Sequence, residues 1–315
     1  MCELVDGSHD YRIHGNRGDL PYFVMATWTA PQPDDFGARN WAPRAAAGLV
    51  EFDPTNLTTT SFLASPDMAF DSEGNFEVIV SGRRHPGNWL PLAPDATGIL
   101  IRSVHHRREA ERDAVMQIER LDQPQARPVR PEEVSRGLAK AGQTVLGYAE
   151  LVRVWWQENL SKRPNQIVFS ESTYLSNGGV LDRLHGFGSW HKPVGEALVV
   201  DFHPPACESW ILQICNLWQE NLDVYEDGQG YLTKFSADYE ADGSVRAVVA
   251  DEDPGAGGNW LDSFQHATGV FSLRLIQTEG TPTVTIWSVP LDRLRAEGFA
   301  CLKDIEPVAS GGASD

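Results

Sequence analysis

Asp262 and His266 lie on one short run, Gly258-Asn259-Trp260-Leu261-Asp262-Ser263-Phe264-Gln265-His266. An imidazole titrates near neutrality, and a neighbouring carboxylate can orient it and raise its basicity, as a general acid or base requires. The pair is therefore read as the proton-transfer apparatus, with His266 moving the proton and Asp262 as its partner. The alternative is that Asp262 caps a turn and His266 bonds a backbone carbonyl. Glu220, if it points inward beside Trp218, supplies a second carboxylate to work with Asp262, as in glycoside chemistry; otherwise it is a solvated rim residue. Trp218 and Trp260 are candidate aromatic walls, and Asn216 and Tyr225 candidate hydrogen-bond donors. Arg83 and His203 complete the candidate substrate contacts. Arg83-Arg84-His85 forms a compact basic cluster that could focus a carboxylate or sulfate, or pair with Glu73 and Asp71 across a hairpin.

These residues sit in a duplicated pattern. Residues 87–98 (Gly-Asn-Trp-Leu-Pro-Leu-Ala-Pro-Asp-Ala-Thr-Gly) and 258–269 (Gly-Asn-Trp-Leu-Asp-Ser-Phe-Gln-His-Ala-Thr-Gly) agree at seven of twelve positions. Their flanks agree in order. Upstream, Asp71 to Val80 matches Glu240 to Val249, a turn leading into a β-branched strand; downstream, Ile99-Leu100-Ile101-Arg102 matches Val270-Phe271-Ser272-Leu273-Arg274. The Asn-Trp dipeptide is common to both copies, so it is read as structural: Asn bonds backbone in a tight turn and Trp supplies buried area. Only the second copy adds the carboxylate and the imidazole.

Short strands between Gly, Asp and Pro turns are the signature of an antiparallel sandwich or jelly roll. Between the copies, Val134, Leu138, Ala141, Val145, Tyr148, Val152 and Trp155 recur at three- and four-residue spacing. That spacing predicts a docking helix of about 25–30 residues with one apolar stripe, opened by Pro131 and two glutamates. Gly137, Gly142 and Gly147 weaken it, each by up to ~1 kcal/mol. The fold class is thus mainly β: two related antiparallel β-sandwich or jelly-roll units joined by one long α-helix. The expected division is 1–124 for the first unit, 125–196 for the linker helix and a Ser/Asn/Gly-rich loop, 197–308 for the second unit and 309–315 for a disordered tail.

At this point a resemblance is carried by Pro86-Gly87-Asn88-Trp89-Leu90-Pro91, by Gln213 to Asp223 and by Asn259 to His266. These stretches resemble the bacterial proteins of the Domain of Unknown Function 1214 family, from about Tyr11 to Leu294, with Asn-Trp-Leu-Asp-x-x-x-His the most specific string. The resemblance implies a β-sandwich or jelly-roll architecture and a catabolic setting, and brings no activity. It also implies a helical region ahead of the first strands, so Met1 is read as the start of a shortened form.

Composition removes several classes. With 26 Lys+Arg against 44 Asp+Glu the net charge is −18, and no basic stripe is present, so nucleic acid and anionic membrane surfaces are set aside as partners. No run reaches the ~18–20 apolar residues that span a bilayer, and Met1 to Asp6 does not read as a secretory signal, which makes the cytoplasm the expected compartment. The four cysteines are too sparse for a disulfide framework; Cys207 and Cys215 are read as buried thiols. His185, His191 and His203 match no metal cage and are read as loop histidines on a polar surface; His105-His106 reads as part of a solvated face. Nucleotide loops, nucleophile elbows and His-Glu-x-x-His are absent, so no cofactor and no metal are expected.

The expected function is a cofactor-independent catabolic enzyme, a hydrolase, lyase or isomerase, using the Asp/His pair on a small, partly hydrophobic or aromatic substrate. The alternative is a non-catalytic double jelly roll that binds carbohydrate or another small ligand on exposed aromatics. A third is an oligomer-forming protein whose helix exposes its apolar stripe, and a homodimer is left open.

Overall fold

Alternation along the strands sets which side chains reach the interior. In Asn75–Ser81, for example, Phe76, Val78 and Val80 are buried while Asn75 and Glu77 face solvent. The computed structural model describes residues 2–29, 58–122, 128–176, 178–181, 183–222 and 229–311. Mainly β, it divides into two units: the described residues through Tyr148 together with Leu175–Val180 form the first, and Ala149–Tyr174 with the described residues from Leu181 onward form the second.

The first unit contains β1 (Cys2–Leu4), β2 (Tyr11–Asn16), β3 (Tyr22–Thr29), β4 (Thr58–Ala64), β5 (Asn75–Ser81), β6 (Trp89–Pro91), β7 (Gly98–Val104) and β8 (Val115–Arg120). They make two sheets, in the orders β1-β7-β3-β4 and β6-β5-β2-β8. Phe23, Met25, Ile99 and Ile101 of one sheet share a core with Ile13, Phe76, Val78, Val80 and Leu90 of the other. Every pairing is antiparallel except β5 with β6, which is parallel.

α1 spans Pro131–Lys162. It begins as expected at Pro131, but the stripe is not covered along its length. Val134, Leu138 and Val145 are exposed, whereas Val152 is buried with Cys215 and Val270. The side chains of Tyr148 and Trp155 lie outside the described residues.

The second unit continues with β9 (Val168–Phe169), α2 (Glu171–Ser176, its last two residues in the first unit), β10 (Arg183–His191), β11 (Glu196–Phe202), β12 (Ser209–Cys215), β13 (Tyr231–Thr233), β14 (Val245–Ala250), β15 (Trp260–Asp262), β16 (Thr268–Ile276), β17 (Val284–Pro290), α3 (Leu291–Glu297) and β18 (Ala309–Gly311). Its sheets run β13-β12-β16-β10-β9 and β15-β14-β11-β17-β18. Trp190, Trp210, Leu212, Phe271 and Leu273 of the first share a core with Leu198, Val200, Phe202, Ala247 and Leu261 of the second. Again the strand that carries Asn-Trp-Leu pairs in parallel, β15 with β14. Strand by strand, β1-β7-β3-β4 corresponds to β10-β16-β12-β13, and β6-β5-β2-β8 to β15-β14-β11-β17.

Two expectations about the chain's course are corrected. The stretch expected to be loop between α1 and residue 197 contains β10, a nine-residue strand of the second unit's sheet. Its glycines are not turn glycines: a Cβ on Gly188 would stand 1.6 Å from the Gln166 carbonyl oxygen, and one on Gly186 2.5 Å from the Phe169 ring, so small residues are what lets the neighbouring chain approach. The tail is ordered at its start, because β18 pairs with β17 through Ala309–Ile286, Ser310–Thr285 and Gly311–Val284; the residues from 312 lie outside the described ones.

Candidate functional site

The Asn-Trp turns behave alike in both units. Asn88 accepts from the Ala69 N–H at 2.8 Å and donates to the carbonyls of Ala69 and Glu77 at 2.9 and 3.0 Å. Asn259 accepts from the Asp238 N–H at 2.8 Å and donates to Asp238 and Arg246 at 2.7 and 3.1 Å. The indoles match too: Trp89 donates to Ser81 O and Trp260 to Ala250 O, each at 3.1 Å. Trp260 is thus half-buried scaffold, packed beside Val248, Ala250 and Leu294.

After Trp260 the expected proton-transfer pair comes apart. Asp262 uses its carboxylate to accept from the Phe264 N–H at 2.7 Å, closing a turn. Phe264 and Gln265 then adopt left-handed backbone, φ 46° and 61°, which carries His266 out to solvent. The His266 N–H donates to Ser263 O at 2.9 Å, and no hydrogen bond or ion pair joins its ring to Asp262. What fixes this loop lies beneath it. Ser263, fully buried, donates its hydroxyl to Asp251 Oδ1, and Lys192, 2% exposed, donates Nζ to Asp251 Oδ2 at 2.9 Å. Burial works against the Asp251 charge, but these bonds outweigh it and hold the carboxyl below its usual value. The first unit has Gly82 and Leu92 where this one has Asp251 and Ser263.

The other expected contacts are dispersed. Glu220 is exposed, and its carboxylate accepts from Asn216 Nδ2 at 2.7 Å, while Asn216 Oδ1 accepts from the Trp218 and Glu220 N–H groups at 2.9 and 3.1 Å. Asn216 and Glu220 therefore build one tight turn. Trp218 stands on it 54% exposed. Arg83 is exposed on its loop, and so is His203, whose ring lies against Gly243. Tyr225 lies outside the described residues. Cys215 is buried as expected, its thiol pushed up to about 11 by burial, and Cys207 is half-buried.

The structure assembles a different group on the outer face of β10, β16 and β12, the face turned away from the core. Register sets His185 opposite Arg274 and Arg274 opposite Ile211; one pair along, Phe187 faces Ser272 and Ser272 faces Gln213. His185 is half-buried, with Nε2 3.0 Å from Ser272 Oγ. Tyr174 and Phe187 stand edge-on to the imidazole with centroids 6.0 Å away. Burial, reinforced by the charges of Arg274 and Arg183, holds the ring well below its ordinary value, so it is neutral near pH 7. Arg274 retains solvent access, yet desolvation is the largest influence on its guanidinium; Cys215, Tyr174 and Arg183 are its other ionisable influences. Among the described residues it makes no hydrogen bond and no ion pair. On the same face Val270 is buried against Val152 of α1, with the half-buried Phe187 packed beside them.

A neutral histidine beside a guanidinium that no described carboxylate compensates is the kind of perturbed group that marks functional sites. It can accept or donate a proton, and the arginine can bind an anion. Sequence reasoning had set His185 aside as a loop residue; the period-two alternation of Arg183, His185 and Phe187 was the signal, masked by the intervening glycines. Among the described residues no cluster of His, Cys, Asp or Glu could hold a metal ion. Nor is any helix among them long and apolar enough to cross a membrane.

No family model matches the chain, and no curated protein does. Among solved structures it is similar to an uncharacterized protein from Burkholderia cenocepacia, with 28% identity over 93% of this chain and 76% of that one and a TM-score of 0.80. A protein from Vibrio parahaemolyticus aligns with 7% identity over 88% of this chain and 84% of that one, at a TM-score of 0.46.

Proposed function

We propose that this chain is a cofactor-independent acid–base enzyme of the Domain of Unknown Function 1214 type, made of two related β-sandwich units connected through α1, and that its second unit works on a small, partly hydrophobic molecule at His185. The duplication is supported by the matched strand orders and by the equivalent bonds of Asn88 and Asn259. The observation that carries the function is His185: an imidazole kept neutral, bonded to Ser272, beside an arginine that has no counter-charge among the described residues. A base must be unprotonated at working pH to accept a proton, and desolvation maintains that here. Aromatic edges from Tyr174 and Phe187 suit a ligand with an apolar body.

The test is ring-resolved NMR of the histidines during titration with a mixture of small aromatic compounds. His185 signals should shift and those of His266 should not, and His266→Ala should leave the response intact. Movement of His266 with His185 silent would return the site to the Asp262 loop. A second reading, carbohydrate binding without turnover, is favoured only by the 54% exposure of Trp218 on its turn; quenching of Trp218 by a simple glycoside, lost in Trp218→Ala, is its signature.

A further inference from the structure

Resting on the His185 site just proposed, we infer that its ligand class is a monocarboxylate with an apolar, aromatic-sized body, its carboxylate held by Arg274. The two units carry the comparison within one molecule. Arg102 follows the core residue Ile101 on β7 as Arg274 follows Leu273 on β16, and both face away from their cores. In the first unit that guanidinium is engaged, donating Nη2 to the Gly178 carbonyl at 2.8 Å. In the second, among the described residues, it has neither a hydrogen bond nor an ion pair. Arg274 is exposed, so its guanidinium fork stands open to an acceptor that a ligand can supply.

The surroundings choose between anions. A guanidinium fork matches the two oxygens of a carboxylate in one plane. The charged groups acting on His185 are Arg274 and Arg183, and Arg183 has an interaction of its own, so the one open guanidinium matches a monoanion better than a dianionic phosphate. Beside them, Tyr174, Phe187 and Ile211 are half-buried and offer apolar or aromatic surface. Bringing a dianion against such walls costs more desolvation than bringing a carboxylate whose body is itself apolar.

Calorimetric titration of the full chain with benzoate, inorganic phosphate and benzyl alcohol tests this, using Arg274→Gln, Arg274→Lys and Arg102→Gln. Benzoate should bind the unaltered chain at least tenfold more tightly than the other two probes. Arg274→Gln should weaken benzoate at least tenfold, Arg274→Lys should fall between, and Arg102→Gln should leave it unchanged. Phosphate binding as tightly as benzoate would overturn the carboxylate class, as would benzyl alcohol matching benzoate or an undiminished Arg274→Gln. Absence of benzoate binding also overturns the class, and if His185 still shifts with other aromatic compounds the site itself survives. A His185 ring that no probe moves overturns both.

Discussion

Lys192 and Asp251 form a hydrogen-bonded ion pair whose members differ in exposure: 3% for the lysine side chain and 36% for the aspartate. The cost of breaking it should therefore depend on which partner is removed. In Asp251→Asn the amide oxygen can still accept from Ser263, which leaves the amide NH₂ facing the Lys192 ammonium, donor against donor, with almost no water to replace the lost acceptor. Stranding a buried charge this way costs about 3–5 kcal/mol. In Lys192→Met the orphaned carboxylate keeps the Ser263 hydroxyl and reaches solvent, so the loss should be only about 1–2 kcal/mol. The difference, ~2 kcal/mol, is roughly thirtyfold in the folding equilibrium. Urea unfolding followed by tryptophan fluorescence measures both, with amide exchange at Ser263–Ala267 reporting the loop. The double variant Lys192→Met/Asp251→Asn should be more stable than Asp251→Asn alone, since no ammonium remains to be stranded. Equal costs for the two single variants, or a double variant no better than Asp251→Asn, would refute the claim that a buried ammonium dictates this clamp.

Arg274→Met should unfold at a urea concentration close to that of the unaltered chain, within about 0.5 kcal/mol, because the exposed side chain makes no bond among the described residues; a loss of several kcal/mol would reveal a structural role. Gly188→Ala should destabilise the second unit by about 3 kcal/mol or more, since its Cβ would stand 1.6 Å from a backbone oxygen, and loss of exchange protection at Val168 and Phe169 would mark the site of damage. His185 has its folded pKa below the unfolded value of about 6.5, so its contribution is present above that pH and is lost as pH falls, by at most ~1.4 kcal/mol per pH unit. Melting temperatures between pH 7.5 and 5.5 should accordingly fall less in His185→Gln than in the unaltered chain; parallel curves would contradict a buried neutral ring.

Much of the scaffold was legible because its signals are local. The repeated Gly-Asn-Trp-Leu turns, the β-branched strands after Asp71 and Glu240 and the proline-led helix each announce themselves within a dozen residues, and the Asn side chains bond backbone as that reading expected. That the expected pair does not meet was hidden for the complementary reason. Asp262 and His266 are neighbours in sequence, but two left-handed residues between them turn the imidazole away, and no residue type announces φ 46° at Phe264. Glycines that resembled loop residues at 186 and 188 admit a neighbouring strand, which only the tertiary contact reveals.

From residue order alone come the β-rich class, the repeated Gly-Asn-Trp-Leu pattern and the role of the Asn-Trp turns, since each follows from short-range spacing and backbone preference. The meeting of His185 with Arg274 and Ser272 and the burial that keeps the imidazole neutral belong to the tertiary structure. They depend on strand register and on desolvation by distant segments, and neither is encoded in any one stretch of chain.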